Sequence, residues 1–163
     1  TTSLDDTDLI VEGDIEEVVE GTVYIEYYTE EDVTILSNIL YHEARGIKSD
    51  TELANVGWVI LNRVDCGYGS TIKEVATAKN QFAYRPNSKF YEVAAYHRCC
   101  EMARDVLERW NKEKNGEEEV GRCLSKDYLY FSVSGGHNWF RKTYEGYNEK
   151  ILIDPNLVSP YET

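Results

Sequence analysis

Apolar positions recur at helical spacing over three long stretches of the chain, and the polar residues between them mark where each helix begins and ends. Over 29–45, Val33, Leu36, Ile39 and Leu40 form one stripe, the i, i+3, i+4 pattern of an amphipathic helix. Thr29-Glu30-Glu31-Asp32 opens this helix as a capping box with acids in its first turn, where the positive end of the helix dipole favours them. Ser49-Asp50-Thr51-Glu52 is a second start signal, with Asp50 and Glu52 read as capping acids. LANVGWVILNRV (53–64) then runs apolar almost all round, which marks a buried helix. A short helix is expected over 71–78, followed by a polar loop, 79–89, broken at Arg85-Pro86. From about 88 to 114 a long helix is expected on Phe90, Val93, Ala94, Ala103, Val106, Leu107 and Trp110.

Two segments read differently. TVYIEYY (22–28) is β-branched and aromatic, a short strand or an extended arm, and DYLYFSV (127–133) reads as a strand or extended segment before an SGGHN turn. The remainder looks irregular. The expected class is mostly α with a small extended or β element.

With 163 residues, the chain has the length of one compact domain. Its net charge of −13 changes that picture only locally: residues 1–32 hold twelve acids and no Lys or Arg, and the remainder carries 18 acids against 17 bases. An acidic leader over 1–28 and a charge-balanced domain over 29–163 follow. Nucleic acid is a poor partner, because phosphate binding needs a basic face. No apolar run reaches the roughly 18 residues of a membrane span. The opening TTSLDD lacks a basic and an apolar signal region, which fits a mature domain trimmed of an export signal. A monomer is expected.

The four cysteines, Cys66, Cys99, Cys100 and Cys123, form no C-x-x-C pair, which argues against structural zinc. Cys99 and Cys100 are helix neighbours pointing about 100° apart. Bridges from them to Cys66 and Cys123 would make two disulfides and imply export; four reduced thiols are the other reading.

One residue breaks the apolar pattern of the first helix. At about 100° per residue, with Leu36 at zero, Leu40, Val33 and Ile39 fall within about 60° of it and Glu43 at about −20°. Thr34 and Asn38 lie on the opposite, polar side. A carboxyl among apolar neighbours is the setting in which general acids are found. An ion pair with Arg45 or Arg63 would make Glu43 structural instead.

Y-H-E-A-R-G (41–46), V-I-L-N-R-V (59–64) and Q-F (81–82), with the aromatic Tyr130-Phe131 and His137-Asn138-Trp139 region, resemble the SleB-type cell-wall hydrolases, the family of the spore cortex-lytic enzymes. The resemblance spans roughly 31–145. His42 stands where the family usually has Ala, Ile47-Lys48 replace its acid, and Ala83-Tyr84 replace Ser followed by Cys or Trp. The resemblance implies a lysozyme-like helical fold, exported to the wall or spore. It implies a lytic transglycosylase acting on peptidoglycan glycan strands between N-acetylmuramic acid and N-acetylglucosamine, without a cofactor. Glu43 would be the single acid/base, and the product a 1,6-anhydro ring, whereas ordinary glycosidases use two carboxylates.

Gln81, Phe82 and Tyr84 are candidate substrate contacts on the loop, beside Tyr130, His137 and Trp139 on the aromatic segment; Tyr128 is a further groove candidate. Phe82 serves equally as a core anchor. A zinc site on His42 lacks the H-E-x-x-H spacing, because Gly46 stands where the second His is needed. Muramidase or N-acetylmuramoyl-L-alanine amidase chemistry and a non-catalytic wall-binding module are the competing readings.

Overall fold

The computed structural model of the protein describes residues 23–79 and 81–161. Residues 1–22 of the acidic leader lie outside the described residues.

The centre of the molecule is the second helix. α1 (Glu30–Ala44), α2 (Asp50–Cys66), α3 (Ile72–Thr77) and α4 (Val93–Lys114) are followed by the strands β1 (Tyr130–Ser134) and β2 (His137–Arg141). The class is mostly α with a small β element, as the pattern predicts. Every residue of α2 from Thr51 to Arg63 is buried, and α1, α3, α4 and both strands pack against this helix. Trp58, Leu53, Val56, Val59, Ile60 and Leu61 fill the core from α2, met by Leu36, Ile39 and Leu40 of α1 and Val106 and Leu107 of α4. The first two helices start where their caps say. Thr29 and Asp32 form the reciprocal capping box, and Ser49 accepts from the Glu52 N–H.

α4 begins later than its apolar residues suggest. Phe90 is 90% and Val93 80% exposed, and Ala94 is exposed too, so none of the three joins the buried stripe of Cys99, Met102, Ala103, Val106, Leu107 and Trp110. The Glu92 carboxylate caps the helix by accepting from the Ala95 N–H at 2.7 Å, and its own N–H donates to the Tyr41 hydroxyl at 2.7 Å. Those bonds keep the chain extended up to Glu92.

The segment expected to be irregular after the SGGHN turn supplies a second strand. Gly135 and Gly136 both have positive φ (63° and 79°), as a two-residue type I′ hairpin turn requires. The antiparallel register pairs Tyr130 with Arg141, Ser132 with Trp139 and Ser134 with His137. A further bridge joins Phe140 to Ile151 through two 2.8 Å bonds. The segment 23–29 is an extended arm and not a strand. Its backbone pairs with side-chain amides of α4 and its C-cap: the Tyr27 N–H donates to Asn111 and the Ile25 N–H to the cap residue Asn115.

The expected disulfides do not form. All four cysteines are free, with Cys66 exposed at the end of α2, Cys100 half-buried and Cys99 and Cys123 buried. The Cys123 thiol donates to Asn55 Oδ1 at 3.0 Å, and burial pushes it up to about 12 and Cys99 up to about 11. Two of the four are therefore packed thiols held in the unreactive protonated form.

The C-terminal segment is tied down through Asp154. Its carboxylate accepts from the Ser125 hydroxyl and N–H and from the Asn156 N–H. Burial raises its pKa, but those bonds and Lys142 outweigh burial and hold it below the ordinary 3.8. A carboxyl that titrates lower folded than unfolded adds stability that is complete above about pH 4 and is lost as pH falls through the folded value. Asp154→Asn is expected to cost about 1–3 kcal/mol at pH 7 and progressively less below pH 4. Thermal melts of both proteins across that range measure the gap, and a pH-independent gap would refute the linkage.

Candidate active site

Glu43 sits on the last turn of α1, half-buried, between the core residues Leu40 and Ala44 and the exposed Arg45. One carboxylate oxygen, Oε2, accepts from the Ala83 N–H at 2.7 Å. Neither arginine considered as its ion-pair partner is bonded to it. Arg45 turns back to the Tyr41 carbonyl and lies over the Tyr41 ring, and Arg63 is bonded elsewhere. Among the described residues Glu43 makes no ion pair, and Oε1 has no protein partner.

The loop that meets Glu43 is held by α1 itself. Asn38, read from the sequence as solvent-facing, is 4% exposed. Its amide closes a two-way clamp on Arg85, donating to the carbonyl and accepting from the N–H, both at 2.8 Å. The same amide reaches the Tyr91 hydroxyl at 3.1 Å, and Tyr41 receives the Glu92 N–H. α1 thus presents Asn38, Tyr41 and Glu43 to one loop, and the Ala83 N–H is aimed by bonds on its C-terminal side.

On its other side the loop is joined to α2 and the hairpin. Arg63 donates from Nη1 to Gln81 Oε1 at 2.7 Å and from Nε to the Leu129 carbonyl at 2.8 Å. Phe82 stacks on Phe131 at 6.2 Å with Arg63 over its ring, so Phe82 acts as an anchor. Gln81 lines a cleft of about 670 Å³ together with Arg63, Tyr68, Tyr130, Arg141 and Tyr144. The Tyr68 and Tyr130 hydroxyls meet at 3.0 Å across it. Glu43 does not line this cleft; it is bonded to the residue two positions along the chain from Gln81.

The other candidates divide. Tyr130 is in the cleft. Tyr84 packs half-buried against the core, and Tyr128 is a core residue, 8% exposed. Trp139 and His137 share the hairpin face of Tyr130 and Arg141 by register but lie outside the cleft wall. Trp139 donates to the Ser134 carbonyl, with Lys150 over its ring. His137 Nδ1 meets Glu52 Oε2 at 2.8 Å, while Glu52 Oε1 accepts from the Asn138 N–H. Glu52 is therefore no capping acid: it is 2% exposed and holds the hairpin to α2. His42 lies edge-on to Tyr41, where burial and then the charges of Arg85 and Arg45 hold it below the ordinary imidazole range. The three histidines stand in three separate surroundings, since His97 pairs with Glu101 on exposed α4. The residues the sequence reading missed are Asn38, Tyr68, Arg141 and Tyr144; the Arg of L-N-R-V, a cation on an all-round apolar helix, was the available signal for Arg63.

Residues 48–146 match the cell wall hydrolase family. The chain belongs to the cell wall hydrolases. The matched span holds α2, the loop, α4 and the hairpin, and thus every residue of the cleft wall; it begins after Glu43, so α1 lies before it. No curated protein and no solved structure matches the chain. As a cell wall hydrolase the protein is an enzyme acting on peptidoglycan, and no described helix is long and apolar enough to cross a membrane.

If Asn38 aims the loop, Asn38→Ala is expected to cost about 1–3 kcal/mol in stability and to lower wall-clearing activity by about tenfold or more through misplacement of Ala83. Melting curves, turbidity clearing and hydrogen exchange at the Ala83 amide measure the three effects. Unchanged clearing by a destabilised variant would show that the loop does not position Glu43.

Proposed function

We propose that this cell wall hydrolase cleaves the glycan strand of peptidoglycan as a lytic transglycosylase, with Glu43 as the single acid/base on a lysozyme-like helical scaffold. The observation that carries the reading is a lone carboxylate beside a cleft wall that has no acid in it. Among the described residues Glu43 keeps one oxygen free of protein partners, and the cleft wall contains neither Asp nor Glu. The next four acids along the chain are engaged elsewhere. Asp50 pairs with Arg98, Glu52 with His137, Asp65 with Trp110 and Lys114, and Glu74 with Ser70. A two-carboxylate glycosidase needs a second acid facing the first across the bond, and none of these is placed to serve.

In this mechanism the protonated Glu43 gives its proton to the oxygen between N-acetylmuramic acid and N-acetylglucosamine as the C1–O bond breaks. The resulting carboxylate then takes the proton of the muramic C6 hydroxyl, whose oxygen closes on C1. Glu43 ends protonated, as it began, and no water is consumed. The Ala83 N–H holds the carboxylate in one orientation through both transfers, while Tyr130, Tyr68 and Tyr144 offer flat faces to the sugars. The enzyme works on the wall, outside the membrane.

The test is digestion of purified peptidoglycan with products read by mass spectrometry. The native protein is expected to release 1,6-anhydro-muramic ends, and Glu43→Gln to lose at least about a hundredfold in rate with an unchanged melting temperature. Reducing ends would show a muramidase, freed peptides an amidase, and binding without products a wall-binding module; each would overturn the lyase reading. Undiminished release by Glu43→Gln would remove the residue from the mechanism.

A further inference from the structure

Two guanidinium groups are buried in the cleft wall without a counter-charge. Arg63 is 5% and Arg141 4% exposed, and among the described residues neither is within ion-pair distance of a carboxylate. Four other arginines are matched, Arg98 with Asp50, Arg104 with Glu30, Arg109 with Asp105 and Arg122 with Glu113; Arg45 and Arg85, which have no carboxylate partner among the described residues, are both exposed. Arg122 is the fitting comparison, because it too is nearly buried and receives a two-pronged carboxylate from Glu113. Burying an unpaired charge is costly, so a pair of them facing one cavity needs a reason.

Neutral groups satisfy the two cations only in part. Arg63 donates to the Leu129 carbonyl and the Gln81 amide oxygen, with the rings of Phe82 and Tyr130 under 5 Å away. Arg141 donates twice to the Tyr144 carbonyl and once, at 3.4 Å, to Ser132, and lies 4.1 Å from the Tyr147 ring centre. Such partners fix the planar groups in place and leave the charge standing. Lys79 adds an exposed cation at the rim. The cleft therefore concentrates positive charge in a chain whose net charge is −13.

We propose that this cleft is an anion subsite that takes a carboxylate of the peptidoglycan substrate, with Arg63 and Arg141 as its specificity-determining residues. The inference rests on the peptidoglycan-cleaving reading for its choice of ligand, though not on the lyase chemistry. A guanidinium fork matches a carboxylate in geometry as well as charge, and the tyrosines beside it suit an attached sugar ring. Peptidoglycan offers that carboxylate from two sources. One is the acidic peptide stem; the other is the lactyl group of a muramic residue that carries no stem. A neutral strand would leave the two cations uncompensated, so the enzyme prefers strands with free acid groups.

Equilibrium binding tests this with the native protein and a disaccharide–peptide that lacks the scissile linkage, so that catalysis plays no part. Amidating every carboxylate of that ligand is expected to weaken binding by about tenfold or more, and raised salt to weaken only the free-acid form. Arg141→Gln is expected to abolish the difference. Lys79→Gln, which changes an exposed side chain and does not endanger the fold, is expected to narrow the difference about two- to threefold. A peptide-free disaccharide with a free lactyl group that binds as tightly as the peptide-bearing one assigns the carboxylate to the lactyl source; binding only of the peptide-bearing form assigns it to the stem. Equal affinity for free-acid and amidated ligands, or a difference that survives both substitutions, would overturn the subsite. Loss of glycan cleavage with retained acid discrimination would defeat the lyase reading alone.

Discussion

α2 is buried on every side, and its polar residues must therefore find partners inside the protein. Four of them organise what surrounds it. Glu52 takes the first residues of β2, Asn55 accepts from the Cys123 thiol, Asn62 donates to the Ser125 and Tyr128 carbonyls, and Arg63 donates to Leu129 and Gln81. An unmade bond leaves a desolvated polar group, as at Asn55, whose Nδ2 has no partner among the described residues while its Oδ1 is bonded. The chain from 120 to 141 is thus drawn along the helix by a ladder of side-chain bonds, and the two-stranded hairpin at its end is fixed where it could not be stable alone.

The site forms where two such constraints meet on one loop. α1 holds residues 83–92 through Glu43, Asn38 and Tyr41, and α2 holds residue 81 through Arg63. Between the two anchors, Phe82 packs on Phe131 and carries the contact to the hairpin. The carboxylate and the cationic cleft are consequently coupled by three consecutive residues, Gln81, Phe82 and Ala83. The carboxylate lies on one side of the loop and the cationic wall on the other, so a change at either is felt by the same three residues.

Local signals carried far along this chain. The caps at Thr29 and Ser49, the apolar stripe of α1 and the all-round apolar run of α2 are short-range features, and each gave its helix to within a few residues. Glu43 was legible for the same reason: its angle relative to Leu36 depends only on helix geometry. The start of α4 was not, because Phe90 and Val93 are apolar but lie beside a segment already committed to α1 through Tyr41 and Asn38. β2 carried its signal in the Gly135-Gly136 turn, which is stronger evidence for a hairpin than the mixed composition of HNWFR is against one. Asn38 fell on the polar side of its helix in a wheel that places the core on one face; a loop lies over that side, and an amide serves a loop backbone better than an apolar group does.

By itself the sequence determined the helices, the class of the fold and an acid set into an apolar stripe, since all three follow from spacing within one or two turns. Tertiary structure alone decided which groups face one another. The bond from Ala83 to Glu43 spans forty residues, that from Leu129 to Arg63 sixty-six, and the meeting of Arg63 with Arg141 in one wall depends on a hairpin pinned to α2. The cysteines show the same division: their count suggested bridges, but all four are free thiols, with Cys99 and Cys123 packed in the core. Charge, hydrogen bonding and burial act over distances that chain spacing does not encode, and they assembled the cleft.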